Sequence, residues 1–253
     1  MNEEKNIFVF VPAYNVSRTI GEVIDGIKKE LRECFILVVD DGSIDGTSDI
    51  VKERGVYVIS HSKNMGYGAV QKAAFDFFRK NNFSIAVMIH GDGQHEPKFL
   101  KELIKKIENG ADLCLGSRMM RKLDALKGGM PLLKFFVNIF LTYMENKVLG
   151  ANLSEFHSGF RSFSKKLISS LFDSGIINIM SDSFIFDQQI LFFAIYQKFK
   201  ISEIPVSTRY DSFSSQVKLK DGIIYSYHIV KMASKYILFK RGIIKDFKDV
   251  IRV

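Results

Sequence analysis

The stretch "CFILVVDDGS", Cys34 to Ser43, decides the fold. From Cys34 to Val39 every side chain is apolar, whereas a strand with one wet face would alternate. The run then stops at two carboxylates and a Gly-Ser turn. It reads as a strand covered on both faces and ending in a polar loop, and the pattern recurs on either side of it. Upstream, "NIFVFVPAYN" is a strand, and "SRTIGEVIDGIKKEL" carries Ile20, Val23, Ile24, Ile27 and Leu31 at helical spacing with Ser17 as cap. Downstream come a helix over 47–54, the strand "VYVIS", the helix "GAVQKAAFDFFRKN", the strand "SIAVMI", the helix "PKFLKELIKKIENG" and the strand "ADLCLGSR". This alternation predicts an α/β domain with a mainly parallel central sheet and helices on both faces.

The chain has 253 residues, 47 % hydrophobic and 25 % charged, enough for one large domain or a domain with a tail. The cysteines Cys34 and Cys114 have no metal-ligand spacing, which suits a reducing compartment. The start of the chain carries no signal-peptide pattern, and no apolar run has the length of a membrane span. A net charge of +8 favours a polyanionic partner: phosphates, nucleic acid or an anionic membrane. No helix-turn-helix, zinc or RNA-binding signature supports nucleic acid.

Ligands of such sheets bind beyond the carboxyl ends of the strands. Five strand exits therefore belong together: "VPAYN" (11–15), "VDDGS" (39–43), "HSKNMGYG" (61–68), "HGDGQHEP" (90–97) and "GSRM" (116–119). No phosphate-loop lysine motif is present, and "GYGAVQ" lacks the third glycine of a dinucleotide fingerprint. That leaves a mononucleotide whose phosphates are held by a metal. In "HGDGQHEP", Asp92 offers a carboxylate oxygen and Gln94 an amide oxygen, which suit Mg²⁺ or Mn²⁺. An extended loop would set His90 on the same side as both. The alternative is a helix-capping Asp92 beside a satisfied buried His90.

The segments "VPAYN", "VVDDGSIDGT", "NMGYGAVQKA", "DGQHEP", "GSR", "SGFRSFSK", "FIFDQQIL" and "EIPVSTRY" together resemble the family-two glycosyltransferases of GT-A nucleotide-diphospho-sugar transferase fold, in the branch of dolichyl- and polyprenyl-phosphate mannose and glucose synthases. The resemblance covers roughly residues 6–220. It implies a catalytic domain over 1–220 and an amphipathic helical tail over 221–253 for packing, membrane-surface or oligomer contact. It implies a metal-dependent, inverting transfer of a hexose from a nucleotide-diphosphate sugar of GDP-mannose or UDP-glucose type to a polyprenyl or dolichyl phosphate. The alternatives are a glycan or other hydroxyl acceptor, or a non-catalytic nucleotide-sugar binder.

By the same resemblance, Pro12, Ala13, Tyr14, Asn15 and Val16 frame base and ribose, although the family often has an acid at Val16. Val39, Asp40, Asp41, Asn64 and Gly66 complete the nucleotide pocket, and His90, Gly91 and Asp92 meet the diphosphate. The family usually reads Asp-x-Asp there. His90 replaces the first Asp, and imidazole leans the metal set of His90, Asp92 and Gln94 toward Mn²⁺. Arg118, Arg209 and Lys218 would neutralise donor phosphate. Asp92, Glu155, Arg161 and Asp187 form the catalytic set, and Ser158, Gly159 and Arg161 would hold the acceptor phosphate; the plainer reading caps a helix with Ser158 and pairs Arg161 with Asp187. A hydroxyl acceptor would need a base, with Asp187, Glu155 or His157 as candidates. Residues 131–149 and the tail, with Lys231, Lys235, Lys240 and Arg241, would lie at a membrane interface or else pack on the sheet or a dimer partner. The expected location is cytoplasmic, peripheral on the membrane, with a homodimer or a membrane partner subunit as options.

Overall fold

A computed structural model describes residues 6–208, 210 and 219–253. Its strands and helices run β1 (Ile7–Ala13), α1 (Ile20–Glu30), β2 (Phe35–Asp40), α2 (Thr47–Glu53), β3 (Tyr57–Ser60), α3 (Tyr67–Lys80), β4 (Ile85–Met88), α4 (Leu100–Glu108), β5 (Leu113–Ser117), α5 (Lys122–Lys127), α6 (Leu132–Leu149), β6 (Arg161–Ser164), α7 (Lys165–Asp173), α8 (Phe186–Tyr196), β7 (Ile201–Pro205), α9 (Leu219–Lys240) and α10 (Phe247–Ile251). The seven strands form one sheet in the order β3-β2-β1-β4-β6-β5-β7. All neighbours pair in parallel except β6, which lies antiparallel between β4 and β5. The mainly parallel sheet is as the alternation predicts.

The apolar run of β2 is buried because each face of the sheet carries its own core. One face packs Phe8, Phe10, Leu37 and Val39 against α3, α7 and α8. The other packs Val9, Val11, Val38 and Val87 against α1 and α4. Alternate residues of β1 and β2 thus enter opposite cores, so neither strand has a wet face. Phe8 is a hub, with its ring 4.9–6.2 Å from those of Phe10, Phe35, Phe77, Phe78 and Phe83.

One expected helix start differs in detail. Helix α1 begins at Ile20 rather than at a Ser17 cap. Its Thr19 hydroxyl donates across the cleft to the Gly91 carbonyl at 2.7 Å, tying the helix entry to the β4 exit. Helix α6 has a buried stripe of Phe135, Asn138, Leu141, Thr142, Glu145 and Leu149. Leu132, Leu133, Phe136, Phe140 and Tyr143 face outward, each more than 60 % exposed. Part of the polarity of α6 is therefore inside and much of its apolar surface outside, the reverse of an ordinary surface helix. Helix α9 packs on α6 and buries Ile229, Met232, Ala233 and Tyr236 in the same core that takes Phe247, Val250 and Ile251 of α10.

Truncating Phe8 to alanine should cost about 3–5 kcal/mol, as for other buried aromatic hubs. Chemical denaturation monitored by circular dichroism checks this.

Candidate functional site

The exits of β1, β2 and β4 open on one edge of the sheet. The loop after β1 is stitched to the loop after β2: Asn15 N–H donates to Ser43 Oγ at 2.8 Å, Ile44 N–H to Asn15 Oδ1 at 3.1 Å, and Val16 N–H to Thr47 Oγ1 at 3.0 Å. Asn15 adopts φ 51°, in the left-handed region that asparagine tolerates. Asp45 accepts from Ser17 N–H and from the Thr47 hydroxyl. Burial would raise its carboxyl, but these hydrogen bonds bring it down to about 2. An open cleft of about 360 Å³ lies here, lined by Asn15, Val16, Ser17, Arg18, Thr19 and Asp45. Tyr14 is half exposed at its edge.

The β2 carboxylates shape loops. Asp40 is buried and accepts from Ser43 and Ser48. Asp41, 4 % exposed, accepts from His61 Nδ1 at 2.7 Å and from the N–H groups of Met65 at 2.8 Å and Gly66 at 2.9 Å. The carboxylate that the resemblance sets against the base thus also holds the 61–66 turn that leads into α3. Asn64 stays exposed in that turn.

The β4 exit is a turn and not the extended loop expected. Gly93 takes φ +73°, and Gln94 N–H donates back to Asp92 Oδ1 at 3.1 Å. His90 therefore does not line up with Asp92 and Gln94 by simple alternation. Its Nε2 lies 3.0 Å from the Tyr67 hydroxyl, and the two rings stack with centroids 5.6 Å apart. The Tyr67 hydroxyl also reaches Asp187 Oδ2 at 3.0 Å, and Gln71 Nε2 donates to Asp187 Oδ1 at 2.8 Å. Gly159 closes this group: a Cβ there would overlap the His90 ring and the Tyr67 hydroxyl. His95 is buried behind, its ring 5.7 Å from that of His90. Burial, then the neighbouring His90, Arg118 and Lys134, keep it neutral.

Asp187 and Arg161 do not form the ion pair of the plainer reading. Arg161 is fully buried and donates to three backbone carbonyls: Ser158 at 2.6 Å, Asp187 at 2.8 Å and Phe156 at 2.9 Å. Those bonds pin the 156–159 loop to the start of α8. Arg161 is thus occupied by the backbone and is not offered to a ligand. Nor does Ser158 start a helix; strand β6 follows it. Arg118 is 6 % exposed and clasps Glu155, with further bonds to the His157 carbonyl at 2.9 Å and the Tyr210 hydroxyl at 2.8 Å. Burial would raise the Glu155 carboxyl, but Arg118 and hydrogen bonds from Arg118 and Asn138 hold it below the usual range. The pair fixes the loop before β6. Arg209 and Lys218 lie outside the described residues.

Lys134 was legible only as an interruption of a greasy run. The fold carries it into the site on the inward side of α6, with its ammonium 5.0 Å from the centre of the Tyr210 ring. Burial first, then Arg118, bring it down to about 8, with Glu155 and Asp92 acting the other way. It remains a cation at neutral pH. Beyond it, His157 lies 3.3 Å from the buried Glu145 and within 3.1 Å of Tyr225 and Gln188. Burial drives Glu145 well above the usual carboxyl range and His157 down to about 3. This neutral cluster joins α6, α8 and α9.

A divalent cation fits the β4 exit in one way. Among the described residues, one Asp92 carboxylate oxygen accepts no hydrogen bond and no three His, Cys, Asp or Glu side chains converge. That is too few for an all-protein cage, but it suits a cation that takes most of its ligands from a diphosphate and water.

The model of glycosyl transferase family 2 matches residues 8–172. The chain is a family 2 glycosyltransferase. It is 26 % identical to the polyprenol monophosphomannose synthase of Mycolicibacterium smegmatis, covering 79 % of this chain and 76 % of that one. It is 27 % identical to the UDP-N-acetylglucosamine–dolichyl-phosphate N-acetylglucosaminyltransferase of Methanococcus voltae, covering 90 % and 97 %. Glucosyl-3-phosphoglycerate synthase of Mycobacterium tuberculosis, solved with Mn²⁺, UDP and product, superposes with a TM-score of 0.68 at 18 % identity, covering 95 % and 81 %. The fold of this family 2 enzyme is GT-A.

A group whose folded pKa is depressed binds fewer protons in the folded state, so stability falls as pH drops from 6.5 toward 3 at His157. His157→Gln lacks that penalty. Its stability relative to wild type should rise as pH is lowered through this window, as urea unfolding at pH 7.5, 5.5 and 4.5 would show.

Proposed function

We propose that this glycosyltransferase moves a hexose from a nucleotide-diphosphate sugar to a polyprenyl phosphate at a membrane surface. The observation that carries the reading is helix α6. Its inner face reaches the cleft, with Asn138 on Glu155 at 2.8 Å and Lys134 within the field of Asp92. Its outer face presents Leu132, Leu133, Phe136 and Phe140 outward. A lipid phosphate joins an anionic head to an apolar tail, and α6 offers a partner to each. Helix α9 adds exposed Ile223, Ile224, Tyr227 and Val230, and Lys147, Lys240 and Arg241 surround a groove where α6 and α9 meet. No helix among the described residues is long and apolar enough to cross a membrane. Contact would therefore be interfacial, with the cations toward anionic headgroups. The names of the two relatives, both acting on polyprenyl-type phosphates, support the same acceptor class.

In this reading the base and ribose occupy the cleft beside Tyr14 and Asn15, and the diphosphate lies at the β4 exit. Asp92, with His90 and Gln94 beside it, would hold a Mn²⁺ or Mg²⁺ ion, which supplies charge neutralisation to the leaving diphosphate. Lys134 adds a cation for the acceptor phosphate. An oxygen of that phosphate attacks the anomeric carbon from the face opposite the leaving group. The bond from that carbon to the diphosphate oxygen breaks, the configuration inverts and the nucleoside diphosphate leaves with the electron pair. The acceptor is already an anion at neutral pH, so no general base is required. That agrees with Glu155, Asp187 and His157 all being engaged by protein neighbours.

Calorimetry with GDP-mannose, UDP-glucose and UDP-N-acetylglucosamine, with and without Mn²⁺ or Mg²⁺, tests the donor half. One nucleotide class should bind, metal-dependently, and Asp92→Ala should abolish that binding; binding unchanged in the variant would sink the assignment. Flotation with anionic vesicles tests the acceptor half. Phe136→Asp combined with Phe140→Asp should abolish vesicle binding and leave donor affinity within about twofold, since exposed substitutions rarely disturb a fold.

A further inference from the structure

The Tyr67 hydroxyl has one proton and two strong neighbours, each at 3.0 Å: Asp187 Oδ2 and His90 Nε2. A phenol keeps its proton at neutral pH. An ionised carboxylate can only accept, so the tyrosine proton belongs to Asp187. Gln71 donates to the other Asp187 oxygen and holds the carboxylate in place. Met88 Sδ, at 3.7 Å, is a weak competitor. With its proton committed, Tyr67 can meet His90 only as an acceptor, and His90 must carry its proton on Nε2. The other ring nitrogen, Nδ1, is then a bare lone pair, and it has no hydrogen-bond partner among the described residues. Ring position is fixed as well, by stacking on Tyr67 and by the missing Cβ of Gly159.

A lone pair on the β4 exit loop, two residues before Asp92, has a chemical consequence. Phosphate oxygens only accept, so a lone-pair nitrogen cannot hydrogen-bond them; a cation between the two satisfies both. We propose that Tyr67 and Asp187 lock His90 in the Nε2-protonated tautomer so that Nδ1 ligates the donor-bound cation, giving this chain a preference for a nitrogen-accepting ion such as Mn²⁺ over Mg²⁺. The inference rests on the metal-and-diphosphate reading of the β4 exit. Tyr67 is in this view a positioning residue, acting through His90. A hydrogen bond from one ring nitrogen commonly selects the nitrogen that binds metal, and losing such an outer partner costs about 10–100-fold in metal affinity.

The test uses the full chain with Mn²⁺ and UDP or GDP, read by electron paramagnetic resonance. Titration of the free-ion signal gives Mn²⁺ affinity, and pulsed detection reports whether an imidazole nitrogen is bound to the ion. Wild type should show the nitrogen coupling, and His90→Asp should lose it while binding Mg²⁺ and Mn²⁺ with a smaller ratio between them. Tyr67→Phe should weaken Mn²⁺ binding about 10-fold or more in wild type, yet change it little in the His90→Asp background. A merely structural role for Tyr67 would weaken both backgrounds equally and would overturn the proposal. So would a Mn²⁺–nucleotide complex that depends on Asp92 but shows no nitrogen coupling, which leaves the metal reading standing. Absence of Mn²⁺ binding with either nucleotide would overturn both.

Discussion

The buried guanidinium of Arg161 is the constraint on which the site depends. A charge with no exposure is costly unless its donors are met, and here three backbone carbonyls meet them. Those carbonyls come from Phe156 and Ser158 in one loop and from Asp187 at the start of α8. Arg161 itself opens β6, the antiparallel strand between β4 and β5. One side chain thus fixes how the second half of the chain meets the first: it places Gly159 against His90 and presents the Asp187 carboxylate to Tyr67 and Gln71.

A second buried cation does similar work one loop earlier. Arg118 leaves β5 and grips Glu155 through both side chain and backbone N–H. Asn138 joins the same carboxylate from α6. The orientation of α6 is therefore set by polar contacts at its inner face, and its outward apolar residues follow from that orientation. A helix with polar atoms buried and Leu and Phe exposed is the reverse of an ordinary surface helix, and the lipid-phosphate acceptor proposed above would give that outer face a partner.

Much of the first half was legible as sequence. The unbroken apolar runs at 35–39 and 85–89 gave buried strands, and the helical spacing at 20–31 gave α1, because local periodicity reports which faces are covered. The second half resisted for an equally physical reason. Strand β6, Arg-Ser-Phe-Ser, and β7, Ile-Ser-Glu-Ile-Pro, lack the unbroken apolar run that marked β4. Helix α8 has apolar residues all round, so its spacing says nothing about a face. Residue types at the site were legible, but their partners were not. Arg118 and Arg161 look alike as phosphate cations in the sequence, and only the fold shows Arg118 bonded to Glu155 and Tyr210, 37 and 92 residues away, and Arg161 bonded to Asp187 as well as to its own loop.

By itself the sequence determined an α/β sheet with polar strand exits on one edge, and, through motif order, the family to which the chain belongs. Those properties live in local pattern and in spacing along the chain. Tertiary structure alone decided that Lys134 belongs to the cleft, that Asp41 holds a turn, and that His90 answers to Tyr67 and Asp187. Each depends on contacts between residues roughly 20 to 120 apart in sequence, and no local rule encodes which of a chain's polar groups will be brought together when its cores close.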